Sequence, residues 1–127
     1  MLANGILQDK GEEDRPKPCR VTFVHESRKG LGQSCHFNEI GMLVLCADPA
    51  PLQARLRMRL LFPGLENPID VEAEVVWTNP YGAEDAVTPR GMGVKFVELD
   101  APTARLLADF SQRYSRVYGT QYEIFYT

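Results

Sequence analysis

The chain has 127 residues, 44% hydrophobic and 24% charged, a balance that fits one folded domain and excludes a disordered or membrane-embedded chain. Its net charge of −3 supplies no bulk attraction to nucleic acid or anionic lipid, so any basic surface has to be local. The three cysteines, Cys19, Cys35 and Cys46, form no C-x-x-C pair, have no histidine at zinc-finger spacing and leave an odd thiol under any disulfide scheme, which predicts reduced thiols in the cytoplasm.

Residues 1–19 are polar, charged and proline-bearing, ending in Pro16-Lys17-Pro18-Cys19, and read as a flexible N-terminal arm. The short apolar patch within Met1–Asp9 has no basic start and no long hydrophobic run, so neither a signal peptide nor a membrane span is expected. From Arg20 onward, short runs rich in β-branched and aromatic residues are separated by Gly and Pro, the texture of an all-β barrel or sandwich. Val21, Phe23 and His25 predict a first strand. Lys29-Gly30-Leu31-Gly32 predicts a turn into a second strand around Ser34–Asn38, and Gly41 opens a third over Met42–Cys46.

Ala54–Phe62 gives the clearest strand, with Leu56, Met58, Leu60 and Phe62 alternating with Arg55, Arg57 and Arg59. One face packs a core and the other carries an arginine row facing solvent or an anion. Pro63-Gly64 breaks that strand. Ile69–Thr78 resumes the alternation, with Val71, Ala73, Val75 and Trp77 on one face, and an antiparallel pairing would set Glu72 and Glu74 near the arginines. After a loop over Pro80–Pro89, Gly91–Phe96 reads as the last barrel strand. Asp100 then supplies an N-cap, Pro102 suits the first helical turn, and Leu106, Leu107, Phe110 and Tyr114 recur at helical spacing toward an end near Tyr118-Gly119. The aromatic tail over 118–127, with Tyr118, Tyr122, Phe125 and Tyr126, either packs on the barrel or serves as an interface.

Three stretches, in their order and spacing, resemble the PilZ domain family. Asn38-Glu39-Ile40-Gly41 followed by an apolar strand is similar to the end of the family's D/N-x-S-x-x-G turn. Val71–Trp77 resembles its V-V-W strand, and Gly91-Met92-Gly93-Val94-Lys95-Phe96 its terminal GhGVxF strand. The resemblance implies an all-β fold with a C-terminal helix, a six-stranded antiparallel PilZ-like β-barrel over residues 20–117. It also implies a bacterial receptor module for cyclic di-GMP with no catalytic role.

In that family the ligand is held by an R-x-x-x-R motif before the first strand and by the D/N-x-S-x-x-G turn. Arginine forks grip phosphate and stack on guanine, while short polar side chains bond base edges. Carried onto this chain, the ligand-binding set is Arg15, Arg20, His36, Asn38 and Gly41. With Arg20 aligned on the last arginine, Pro16 stands where the first belongs and Arg15 lies one place early. His36 replaces the Asp or Asn, and Asn38 replaces the Ser. Charge-assisted bonds contribute about 1.5 to 3 kcal/mol each, so three altered groups cost on the order of 4 to 9 kcal/mol. Micromolar binding amounts to about −8 kcal/mol.

The sequence therefore predicts a regulatory adaptor of cyclic di-GMP signalling and motility or polarity control that acts through a protein partner, with weak or no nucleotide binding. The alternative is a working cyclic di-GMP switch using Arg15, Arg20 and the 36–41 turn. No metal or cofactor, nucleic-acid partner or membrane insertion is expected, because no triad or metal-cage spacing exists and no aromatic residues interleave with the arginine row.

Overall fold

A computed structural model of the chain describes residues 16–81 and 90–119. Arg15 and the rest of the arm before Pro16, most of the 80–89 loop, and Tyr122, Phe125 and Tyr126 of the tail lie outside the described residues. The elements are β1 (Cys19–His25), β2 (Arg28–Phe37), β3 (Gly41–Leu45), β4 (Arg55–Leu61), β5 (Ile69–Asn79), β6 (Gly91–Val97) and α1 (Ala101–Tyr118). The six strands close antiparallel into a barrel in the order β1-β2-β3-β6-β5-β4. Closure gives each strand a hydrogen-bonded neighbour on both sides, although the start of β2, over Arg28–Gly32, extends beyond β3 and pairs with β1 alone.

Alternation sorts the side chains. In β4, Leu56, Met58 and Leu60 are buried while Arg55, Arg57, Arg59 and Leu61 stand outside. In β5, Val71, Ala73 and Val75 fill the interior until a register shift between Val75 and Trp77 breaks the pattern. Trp77 is consequently only half-buried, not a fourth member of the same inward row.

The expected turn over Lys29–Gly32 is not there. The chain reverses at Glu26-Ser27, with Glu26 at a φ of 57°, and β2 already runs from Arg28. A two-residue hairpin turn with positive φ matches the twist of the flanking strands. Gly30 and Gly32 sit inside β2 because the barrel is tight there. A Cβ on Gly30 would enter the ring of Phe23, and one on Gly32 would lie 2.6 Å from the carbonyl oxygen of Leu45.

Helix α1 closes one end of the barrel. Asp100 accepts from the backbone N–H of Thr103 at 2.8 Å, and Gly119, at a φ of 83°, donates its N–H to Ser115 O at 2.9 Å. Both ends of the helix thus satisfy backbone groups that would otherwise lack partners. Leu107 is fully buried, and the helix stacks aromatic rings onto the barrel mouth, with Phe37–Tyr114 centroids 5.1 Å apart and Phe62–Phe110 4.6 Å apart. Burying a leucine of this kind contributes about 1.5 to 3 kcal/mol, so the helix is held by its inner stripe.

Candidate nucleotide-binding site

The segment entering β1 lies against the helix. Tyr114 Oη donates to Lys17 O at 2.6 Å, and Tyr118 Oη donates to Pro16 O. Two tyrosines one turn apart on α1 therefore fix the backbone just before Cys19, which is itself fully buried. Their rings stack at 6.1 Å. Beneath them the surroundings favour neutral groups: burial pushes the Cys19 thiol up to about 12 and the Tyr114 hydroxyl up to about 12. Burial also raises the Cys35 thiol, an effect partly offset by its hydrogen bond with Tyr118.

Arg20, the next residue, points outward from β1 and is exposed. It stands opposite Gln33 of β2 and Leu61 of β4. Among the described residues it forms no ion pair, which leaves its guanidinium available to an anion.

Beyond Gln33, β2 bulges before His36 and the chain turns through Asn38 into β3. Asn38 is buried, and its side-chain oxygen accepts from Ile40 N at 2.7 Å and Gly41 N at 3.1 Å. Its own N–H donates to Gly41 O at 2.9 Å. This is the local asparagine turn that short polar side chains build. Gly41 is buried and pairs with Lys95 of β6. The half-buried His36 ring meets Tyr118 edge-on with centroids 6.3 Å apart, and its Nδ1 lies 3.4 Å from Gly119 O at the helix end.

The fold brings His36, Asn38 and Gly41 onto one turn and sets Arg20 on the adjoining strand, while Arg15 lies outside the described residues. The sequence presents Tyr114 as a helix residue and Tyr118 as part of a tail that packs or forms an interface; in the structure their hydroxyls tie Pro16 and Lys17 to the helix. The signal for such a role is the choice of tyrosine over phenylalanine at two buried or half-buried positions, since a buried phenol needs a partner. Among the described residues no group of three His, Cys, Asp or Glu side chains is placed to hold a metal ion. No described helix is long and apolar enough to cross a membrane.

The model of the PilZ domain matches residues 9–113. The chain belongs to the PilZ domain family. PilZ domains form a cyclic di-GMP-binding family of generally non-enzymatic effector domains, and the closed six-stranded barrel with its C-terminal helix has the expected architecture. No curated protein matches the chain.

Proposed function

We propose that this PilZ domain is a cytoplasmic regulatory adaptor in bacterial cyclic di-GMP signalling that acts through a protein partner, with weak or no nucleotide binding of its own. The setting proposed for it is surface motility or polarity control. The observation that carries the reading is the engagement of the motif side chains within the protein. The Asn38 oxygen bonds two backbone N–H groups of its own turn, and His36 faces Tyr118 and the helix end. A ligand would have to displace these contacts, at about 0.5 to 1.5 kcal/mol per hydrogen bond, besides lacking an arginine at position 16.

A second reading is favoured by Arg20, which is exposed and free of ion pairs among the described residues. Here Arg15 and Arg20 grip the nucleotide phosphates, and movement of the arm passes to α1 through the Tyr114 and Tyr118 hydroxyls. Isothermal titration with cyclic di-GMP separates the two. The adaptor reading expects no saturable heat up to high micromolar nucleotide. Micromolar binding that disappears in the Arg20→Ala variant would overturn it in favour of the switch.

A further inference from the structure

A row of side chains crosses the outer wall of the barrel. His36 of β2 pairs with Leu43 of β3, Leu43 with Gly93 of β6, and Gly93 with Trp77 of β5. On either side of the row, Met42 pairs with Val94 and Val44 with Met92, and all four belong to the core. Strand alternation therefore turns the row between them outward. Leu43 stands on that outward row and outside the core cluster, yet only 2% of its surface is exposed. Its cross-strand neighbours are a half-buried histidine and a glycine, and half-buried Trp77 stands beyond the gap at Gly93. Neighbours within a sheet shield an outward side chain at its flanks; burial this complete needs a layer across its top.

Helix α1 ends where the row begins, since Gly119 O lies 3.4 Å from His36 Nδ1. The chain leaving Gly119 thus starts at one end of the row. Residues 120–127 span up to about 26 Å when extended, whereas the row from β2 to β5 covers three strand spacings, about 14 Å. They include Tyr122, Ile124, Phe125 and Tyr126 and lie beyond the span 9–113 matched by the family model. We propose that this aromatic segment docks across the row, with its rings over Leu43, the gap at Gly93 and the indole of Trp77, as a cover built into the chain. An apolar row rewards aromatic and aliphatic surface. Residues 8–15, which lead to Pro16, hold no apolar side chain, and the loop over 82–89 carries Glu84 and Asp85; both suit the row less. The docked segment also covers His36, and it does so whether or not a nucleotide binds at the 36–41 turn.

Trp77 is the one tryptophan of the chain, so its fluorescence reports on the row without a label. The full chain is compared with two variants of the same length: Tyr122→Ser/Phe125→Ser/Tyr126→Ser in the tail, and Leu2→Ser/Ile6→Ser/Leu7→Ser in the N-terminal arm. The tail variant is expected to shift Trp77 emission to longer wavelength and to raise its quenching by acrylamide, with the circular dichroism of the barrel unchanged. The arm variant is expected to match the parent. Nuclear Overhauser contacts from the Leu43 methyl groups to the tail rings are expected in the parent and supply a second, direct measurement. Unchanged quenching in the tail variant, an equal rise in the arm variant, or no contact between Leu43 and the tail rings would overturn the proposal. Parent emission that moves to longer wavelength on dilution would overturn it as well, by showing that the cover comes from a second copy of the chain.

Discussion

Tyr114 donates its hydroxyl to the carbonyl oxygen of Lys17 at 2.6 Å, across 97 positions of sequence. With the bond from Tyr118 to Pro16 O, it makes α1 the anchor of the segment that enters the barrel. Removing the Tyr114 hydroxyl leaves the ring packed on Phe37 and Phe62 but strands a carbonyl oxygen. Tyr114→Phe is therefore expected to cost about 1 to 2 kcal/mol in urea unfolding. Hydrogen exchange at the start of β1 should quicken in the same variant, and unchanged exchange there would show that the segment is held by other contacts.

The close contacts at Gly30 and Gly91 differ in what must yield. A Cβ at Gly30 meets the ring of Phe23, a side chain that can shift, whereas one at Gly91 meets the backbone carbonyl of Val44. Gly30→Ala should destabilise by about 1 to 3 kcal/mol, the usual range for overpacking. Gly91→Ala should cost more, because the β3–β6 ladder itself has to move. Urea midpoints in the opposite order would mean that Phe23 has no room to retreat.

Stability should decline on the alkaline side. Burial pushes Cys19 up to about 12 and Cys46 up to about 11 from an ordinary value of 9.0. The folded state therefore keeps protons that the unfolded chain releases. This contribution is complete below pH 9.0 and is lost as pH rises toward about 11 to 12. On the acid side, the hydrogen bond from Arg59 lowers Asp70 and the bonds from Thr103 lower Asp100. Their small contribution is present above the ordinary carboxylate value and disappears as pH falls through the depressed one. Urea midpoints measured across this range should be level near neutrality and fall above about pH 9; a level profile through the alkaline range would contradict the burial of these thiols.

What the sequence revealed depended on how local the determining contacts are. The alternation of Arg55–Leu61 foretold both faces of β4, and Glu72 and Glu74 do stand across from arginines. Asp100 and Gly119 announced the helix ends because a cap is decided within one turn of chain. The β1–β2 turn was misread because Glu26 and Ser27 carry none of the usual Gly or Asn signal, while Gly30 and Gly32, which do, are needed for close packing. For the site, the positions His36, Asn38 and Gly41 were legible as a motif. The partners of His36, at Tyr118 and Gly119, lie too far along the chain for any periodicity to reveal. The tyrosine anchors of the arm were hidden for the same reason.

Restoring the family's residues should restore the ligand. Pro16→Arg, His36→Asp and Asn38→Ser together supply the missing guanidinium, a carboxylate acceptor and the short hydroxyl. The Pro16 carbonyl that Tyr118 engages remains in the backbone. The triple variant is expected to bind cyclic di-GMP at least about tenfold more tightly than the parent, corresponding to about 1.4 kcal/mol. Titration calorimetry on the two proteins measures this, and equal affinities would place the limit elsewhere than in these three positions.

The most direct test of the adaptor reading is the backbone amide spectrum of the ¹⁵N-labelled protein as cyclic di-GMP is added. Ile40 and Gly41 report best, since both N–H groups are bonded to Asn38 Oδ1, with Arg20 as the probe of β1. We predict that these three resonances stay in place at high micromolar nucleotide. Saturable shifts at all three, abolished in Arg20→Ala, would contradict the account and identify the domain as a nucleotide-gated switch.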